Sequence, residues 1–312
     1  MGIAISLIYN VGLLFLMLLP GIILSKTGLS TAGLGKGLAN LVLYIAQPAL
    51  IIVAYIRPYN AEILWNLIYV FIFSVLAHLL FAVVAFLCYR RAEDSMRRML
   101  RFATIFSNAA YMGIPLIVAV LGEEAAIYAS VYSITFNLFI WSLGVFLCTD
   151  DKKQASLLKV LFHPVTISSA VGLLLFFLRV YAYVPIIATE ALTMLKNLVA
   201  PLSMIIIGLR LSEIDFHGIF RDRYIYQFLV LRLLILPAII YTIIRLLILV
   251  GLPISNTVMT VILVSASTPA ATATSMFAEK YDCNAAYAGK LVSISTLLAV
   301  ITMPLISLLL NI

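Results

Sequence analysis

The sequence predicts an all-α integral membrane protein with ten transmembrane helices. Of its 312 residues, 64% are hydrophobic and only 11% are charged, whereas soluble domains have about 45–50% apolar and about 25% charged residues. A bilayer core needs roughly 20 apolar residues per spanning helix. Hydrophobic runs of about that length recur along the whole chain and leave only short connections. We therefore expect one membrane domain with no separate soluble module.

Ten hydrophobic segments, separated by charged or turn-forming residues, are the predicted spans. They cover residues 5–24, 38–56, 63–89, 102–122, 125–148, 164–181, 193–211, 224–250, 256–278 and 286–311. The sixth and seventh segments are the weakest predictions, because polar or helix-breaking residues in and between them, such as Tyr181, Pro185 and Glu190, dilute the hydrophobic signal. An arrangement with eight spans is the alternative.

Lysine and arginine residues concentrate in alternate connections. Fifteen of them fall in the odd-numbered connections and three in the even-numbered ones. Basic residues near span ends are retained in the cytoplasm, so the odd-numbered connections should face it. Both termini then lie on the extracytoplasmic side of the plasma membrane. The same bias accounts for the net charge of +7, so no nucleic-acid partner is expected.

The two halves of the chain, 1–150 and 151–312, resemble each other weakly. Residues 123–135 are similar to residues 283–295 at an offset of 160, and the same offset aligns Ser107 with Ser267. Five spans in each half give the halves opposite orientations, which is typical of inverted-repeat transporters. Chance similarity between apolar helices is the alternative.

Two spans contain polar, helix-interrupting stretches at corresponding positions. The fourth span contains SNAAYMGIP at residues 107–115, and the ninth contains SASTPAATATS at residues 265–275. Unwound backbone is tolerated at membrane depth only where it lines a cavity or is covered by protein. A matched pair of such stretches therefore points to a transporter's substrate site. Close helix packing by small residues is the alternative.

Half-helices that start at a common point in the membrane present N–H groups and positive dipole ends to an anion. The Asn108 amide adds an uncharged donor for a carboxylate. The residues expected to contact substrate are Ser107, Asn108, Tyr111, Gly113, Thr268, Pro269 and Thr272. Two ionisable residues lie in the middle of spans: His78 is a candidate for proton coupling, and Arg232 for countering the anion. Helix packing is the alternative role for both.

Acidic residues are excluded from the predicted spans. All thirteen Asp and Glu residues lie in loops or at span ends, so no intramembrane carboxylate is available for a cation. The chain also contains no catalytic motif such as H-E-x-x-H or G-x-S-x-G, and no Cys/His cluster with metal-ligand spacing. We therefore expect no enzymatic activity, no metal and no cofactor.

Three stretches resemble the auxin efflux carrier family, which includes the plant PIN-FORMED carriers and bacterial transporters of small carboxylates. They are NAAYMGIPL at residues 108–116, the stretch from Pro269 to FAEKY at 277–281, and LYIAQPAL at 43–50. The resemblance implies ten helices in two inverted five-helix repeats, with broken helices 4 and 9 crossing each other. It also implies a homodimer formed through scaffold helices 1, 2, 6 and 7, and a transport domain of helices 3–5 and 8–10.

By position, the resemblance implies that Asn108 binds the substrate carboxylate and that Pro269 is the crossover residue of the ninth helix. Ser107 stands where the plant carriers have a crossover proline, and Glu62 and Asn66 stand where they have an Asp/Lys pair. The expected activity is secondary transport of a small organic anion by alternating access. A sodium-coupled inverted-repeat symporter is the first alternative, and a membrane receptor or pore is the second.

The charge distribution makes the topology testable with single-cysteine variants at Gly2 and Asn311. We expect both positions to react with a membrane-impermeant thiol reagent in intact cells, since both termini should lie outside. A cysteine at Arg91 is the matched control and should react only after the membrane is opened. Labelling of Gly2 and Asn311 that requires opened membranes would contradict the orientation.

Overall fold

The computed structural model describes residues 3–31, 33–149, 156–212 and 222–311, and this part of the chain is helical with no strand beyond one isolated bridge. Seven helical segments are long and apolar enough to span a membrane: Ile5–Lys26, Leu34–Tyr55, Ala61–Cys88, Glu123–Thr149, Ile186–Ser212, Arg223–Leu249 and Ala285–Leu310. Three shorter apolar helices occupy the places of the fourth, sixth and ninth predicted spans: Ala109–Leu121, Pro164–Phe177 and Asn256–Ser267. By length alone, seven of the ten predicted spans are therefore accounted for.

The α-helices of the described residues are, in chain order, α1 (Ile3–Leu16), α2 (Leu19–Lys26), α3 (Leu34–Leu41), α4 (Gln47–Tyr55), α5 (Ala61–Cys88), α6 (Asp94–Ile105), α7 (Ile114–Leu121), α8 (Ala126–Phe139), α9 (Val145–Thr149), α10 (Leu157–Leu161), α11 (Pro164–Phe177), α12 (Ile186–Lys196), α13 (Val199–Ser212), α14 (Arg223–Val230), α15 (Leu236–Leu249), α16 (Asn256–Ser267), α17 (Ala273–Lys280) and α18 (Ala285–Ser307). Many membrane segments thus consist of two consecutive α-helices.

Wide π-type turns join several of these pairs. They are Val42–Ala46, Ala109–Gly113, Ile140–Gly144 and Leu231–Ile235. Pro48, Pro115 and Pro237 each lie two residues beyond such a turn. A proline in a helix lacks the N–H donor and its ring clashes with the preceding turn, so a locally widened turn accommodates it. The helices consequently continue through these prolines.

Several predicted boundaries differ from the helix ends in the structure, and three of the differences have a local reason. The helix of the fourth predicted span, α6, begins at Asp94 instead of 102, because its first turns carry arginines on one face and buried Met99 and Leu100 on the other. The sixth ends at Phe177 instead of 181, where Arg179 adopts a left-handed backbone conformation with φ 55°. The seventh starts earlier, at 186 instead of 193, directly after Pro185.

Glycines allow the closest helix contacts in the part of the molecule formed by α2, α4, α11 and α13. A Cβ atom on Gly208 of α13 would lie 2.2 Å from the carbonyl oxygen of Leu18, and one on Gly21 of α2 would lie 2.2 Å from that of Ile205. Within a bilayer, such small residues let helix backbones approach closely and pack by van der Waals contact. The α2–α13 contact therefore depends on the absence of both side chains.

We expect Gly208→Ala to destabilise the protein by about 1–3 kcal/mol, because a methyl group must displace backbone that has no room to move. Gly12→Ala on α1 is the matched control, since a Cβ there meets nothing within 4 Å. Thermal unfolding of the purified variants measures both effects. Equal melting temperatures for the two variants would contradict this account of the contact.

Candidate functional site

The two helix interruptions are hydrogen-bonded to each other. One follows α6 and the other follows α16. The backbone N–H of Asn108 donates to the carbonyl of Pro269 at 2.8 Å, and the N–H of Ala271 donates to the carbonyl of Phe106 at 2.9 Å. Together the two bonds form one antiparallel bridge. Each interruption therefore supplies partners for backbone groups that the other has withdrawn from its helix.

Side chains around this bridge are small and buried. Gly113 lies against Thr268, since a Cβ added to Gly113 would be 3.5 Å from the Thr268 methyl group. The Ser107 hydroxyl lies 3.5 Å from the hydroxyl of Tyr132, and the Thr268 hydroxyl donates to the carbonyl of Ser265 at 2.9 Å. The structure thus brings together five of the seven predicted contact residues: Ser107, Asn108, Gly113, Thr268 and Pro269.

Two helix starts at the bridge lack side-chain caps although polar residues occupy the capping positions. Asn108 precedes the helix of residues 109–121, and Thr272 precedes α17, yet neither side chain accepts a hydrogen bond from its helix. Asn60, Ser255 and Asn284 do cap the helices that follow them. The Nδ2 atom of Asn108 is buried and has no hydrogen-bond partner among the described residues. Helix N–H groups and an amide donor are therefore left for another acceptor.

A cavity of about 440 Å³ reaches this region from one side. It lies between α3, α13 and α17, and both Tyr111 and Thr272 line it. A second cavity of about 470 Å³, on the other side of α17, is also lined by Thr272. Asn108 lines neither cavity. The remaining two predicted contact residues thus lie between the open space and the buried bridge.

Charged residues surround the 440 Å³ cavity where it opens. Lys36, Arg210 and Lys280 line it together with the carboxylate of Glu279. Arg210 and Glu279 are 3.6 Å apart between Nη1 and Oε1. We call this side of the molecule the basic end. Its excess of cationic groups favours the approach of an anion.

A smaller cavity lies toward the opposite end, beside α7 and the start of α13, and ion pairs lie next to it. The cavity has a volume of about 190 Å³ and is lined by Pro115, Glu123 and Lys196, among others. Lys196 forms an ion pair with Glu123, and its side chain is only 3% exposed. The neighbouring Glu124 pairs with Arg57 at 3.0 Å. Tandem acidic residues at the turn before α8 thus attach this turn to α12 and to the chain after α4.

Arg232 binds the backbone at the second interruption. Its Nη1 donates to the carbonyl of Ala266 at 2.9 Å and its Nη2 to that of Thr268 at 2.8 Å. The guanidinium also lies 5.4 Å from the ring centre of Phe81 and is fully buried. A cation at this place compensates the negative end of α16 and the carbonyls freed by the interruption. Arg232 therefore supports the backbone of the site.

His78 is enclosed by aromatic rings. Its Nδ1 atom lies 2.7 Å from the carbonyl oxygen of Ser74, so Nδ1 carries the proton and donates. The ring stacks on Phe139 at 5.0 Å and lies 5.4 Å from the ring of Tyr132, which approaches Ser107. The Nε2 atom has no partner among the described residues. His78 thus borders the site through Tyr132 and lines neither cavity of the basic end.

Two buried amides attach further elements to the site. Gln47 donates from Nε2 to the carbonyl of Ala110 at 3.0 Å and so attaches α4 to the helix start after Asn108. Asn66 accepts at 2.9 Å from Ser255, the capping residue of α16. A buried amide beside Pro48 was the available signal for the first contact, whereas the second joins distant parts of the chain. Among the described residues, no group of three His, Cys, Asp or Glu side chains is placed to hold a metal ion.

Comparison with known proteins identifies the family. A family model described as membrane transport protein matches the chain twice, over residues 7–157 and 152–307. A search of curated proteins found no match. The two matches correspond to the two halves of the sequence and together include almost the entire chain. The protein is therefore a multi-pass membrane protein that belongs to the membrane transport family of the auxin efflux carriers.

Proposed function

We propose that this protein is a secondary transporter of a small organic carboxylate that works by alternating access in the plasma membrane. The observation that carries this proposal is the pair of uncapped helix starts at the hydrogen-bonded bridge, together with the unpartnered amide of Asn108. Such an arrangement offers donors without a full positive charge at the binding point. A carboxylate accepts hydrogen bonds of this kind strongly, because charge assists them.

Ten crossings in two inverted repeats, 1–150 and 151–312, are the arrangement that we propose for the membrane. α6 and the helix of residues 109–121 together extend over 94–121, and α16 and α17 extend over 256–280. Either pair is long enough to cross the bilayer as one broken helix. The bridge between the interruptions supports a crossing of these two segments, since unwound backbone in a membrane requires protein partners.

The basic end provides the route to the site. An anion in the 440 Å³ cavity would meet Lys36 and Lys280 near the opening, and then Tyr111 and Thr272 next to the bridge. Asn108 lies beyond these two residues, so binding requires a local movement of their side chains. In the proposed site, the Asn108 amide and the helix starts bind the carboxylate, while Ser107, Gly113, Thr268 and Pro269 shape the backbone around it.

Unequal cavities at the two ends support alternating access. The space at the basic end is about 440 Å³, whereas that at the opposite end is about 190 Å³ and lies beside the Lys196–Glu123 ion pair. Both spaces lie between the proposed scaffold, helices 1, 2, 6 and 7, and the proposed transport domain, helices 3–5 and 8–10. The conformation is thus open at the basic end. Dimerisation through the scaffold rests on the family resemblance.

A sodium-coupled symporter is less compatible with the chemistry of the second interruption. Sodium requires oxygen ligands, and the carbonyls of Ala266 and Thr268 would be suitable ones. Both accept hydrogen bonds from the Arg232 guanidinium instead. A fixed cation therefore occupies the place where a mobile one would gain its ligands. His78 remains a proposed group for proton coupling, and Arg232 acts in this proposal as a positioning residue.

Substitution of Asn108 tests the substrate site. A panel of radiolabelled mono- and dicarboxylates in proteoliposomes identifies the best substrate of the unmodified protein. Loss of a hydrogen bond to a charged group costs about 1.5–3 kcal/mol, so Asn108→Ala should weaken binding of this substrate roughly 10- to 150-fold. Asn108→Asp should weaken it at least as much, because it places a negative charge against the anion.

Asn40→Ala is the control for the Asn108 experiment, since Asn40 lines the 440 Å³ cavity and is not part of the bridge. We expect it to change affinity less than threefold. Near-normal affinity in both Asn108 variants, with saturable flux retained, would reject the site. Flux that does not saturate and shows no counterflow would instead indicate a pore.

The role of Arg232 is tested by Arg232→Met. This variant should be less stable by about 2–4 kcal/mol, because two buried carbonyls lose their donors, and Arg232→Lys should recover part of the loss.

Sodium coupling is tested separately, and wild-type flux should be unchanged when choline replaces sodium. A sodium requirement in the wild type would favour the symporter alternative.

The ion pair at the opposite end should bias the conformation. A cysteine at Ala119, which lines the 190 Å³ cavity, reports on its opening. Adding Lys196→Met should raise the rate of modification from that side by roughly fivefold, since an ion-pair contribution of about 1 kcal/mol changes a population by this factor. Asp94→Asn, which breaks ion pairs at the basic end, is the control. An unchanged rate in the Lys196 variant would show that the pair does not hold this end closed.

A further inference from the structure

A third space lies at the basic end, away from the interruptions. It is a cleft of about 500 Å³ between the last turn of α5 and the first turn of α14, and it shares no lining residue with the two cavities beside α17. Three arginines line it, Arg90, Arg91 and Arg223, together with Cys88 and Gln227. No carboxylate lines the cleft among the described residues. The transport route does not use this cluster, so its charge calls for a separate explanation.

Two other arginines of the same connection share an acidic partner. Arg97 and Arg98 both form ion pairs with Asp94, the latter at 2.7 Å. The hydrogen bond from Arg98 holds the pKa of the Asp94 carboxyl below its usual value, so this carboxylate stays charged. Arg97 and Arg98 therefore share one compensating charge within the protein.

The arginines of the cleft are arranged differently. Arg223 lies 4.9 Å from the ring centre of Tyr224, and its Nη2 donates to the Tyr224 hydroxyl at 3.2 Å. This contact orients the guanidinium at the start of α14. Arg90 and Arg91 follow α5 directly in a tight turn and are exposed. Three guanidinium groups around one cleft suit a phosphate, whose oxygens match their planar donor geometry.

Apolar side chains on the same two helices indicate the source of the phosphate. Val83 and Leu87 of α5 are 57% and 52% exposed, and Tyr226 and Val230 of α14 are 50% and 48% exposed. These residues belong to segments long and apolar enough to span the membrane, and the arginines lie at the ends of those segments. The apolar side chains thus lie at the depth of the lipid acyl chains, and the arginines lie at the depth of the headgroups. A free anion would contact only the arginines, whereas a phospholipid would contact both the arginines and the exposed apolar side chains.

We propose that the cleft of Arg90, Arg91 and Arg223 binds the phosphate of an anionic phospholipid, whose acyl chains lie along the exposed side chains of α5 and α14. Basic pockets between transmembrane helices on the cytoplasmic side are suited to such headgroups. Both helices pack against α6, which leads into the first interruption. The bound lipid would therefore hold this part of the proposed transport domain at the membrane surface.

Cys88 provides a native reporter, because it lines the cleft and is partly exposed while Cys148 and Cys283 are buried. The full-length protein is purified in detergent, and the rate of maleimide modification at Cys88 is followed by peptide mass spectrometry. Titration with phosphatidylglycerol should slow this reaction at saturation, whereas phosphatidylcholine should not. Arg90→Gln/Arg91→Gln should weaken the phosphatidylglycerol effect by roughly 30-fold in concentration, at about fivefold for each arginine.

Arg97→Gln/Arg98→Gln is the matched control, since it removes the same charge from the same connection. It should leave the phosphatidylglycerol titration within about threefold of wild type. Equal weakening in both double variants, or none in Arg90→Gln/Arg91→Gln, would overturn the site. Protection by inorganic phosphate at concentrations as low as those of the lipid would show that the cleft binds a free anion and would overturn the assignment to lipid. Native mass spectrometry measures bound phosphatidylglycerol in the same variants and checks the result without relying on the modification of Cys88.

Discussion

Backbone hydrogen bonding inside the membrane is the constraint on which the rest of this structure depends. A helix that stops within the bilayer leaves N–H and carbonyl groups without partners, and each costs several kcal/mol in hydrocarbon. The protein meets this cost by pairing one interruption with the other through the bonds from Asn108 to Pro269 and from Ala271 to Phe106. Each interruption thus depends on the other for these two bonds. The two halves of the chain are therefore joined at the point where the proposed substrate binds.

The remaining groups at the bridge divide into those satisfied by the protein and those left for a ligand. Carbonyls at the end of α16 accept from Arg232, so the negative side of the break is already compensated. Donors at the two helix starts are not covered by Asn108 or Thr272. Positive dipole ends and an amide therefore remain while the negative end is closed. This asymmetry favours an anion over a cation as the transported species.

The hydrophobic pattern was sufficient to predict the helical membrane fold and to locate both interruptions, because each places hydroxyl, amide, glycine or proline residues inside an otherwise apolar run. The start of α6 was missed because its first turns are amphipathic, and an average over apolar residues does not detect a one-sided helix. Membership of the transport family agrees with the resemblance of the motifs at 108–116 and 269–281. The Lys196–Glu123 pair could not be predicted, because its partners are distant in sequence and each alone is typical of a solvated loop.

One membrane segment places a basic residue at each end of the proposed pathway. Lys196 and Arg210 both belong to the segment Ile186–Ser212 and lie 14 residues apart, or about 21 Å along a helix. Lys196 is almost fully buried in its pair with Glu123, whereas Arg210 is 3.6 Å from Glu279 and remains partly exposed. Their acidic partners lie on the proposed transport domain, before α8 and on α17. A movement of that domain that opens the opposite end would separate the first pair, and the burial of Lys196 in this pair is consistent with a conformation open at the basic end.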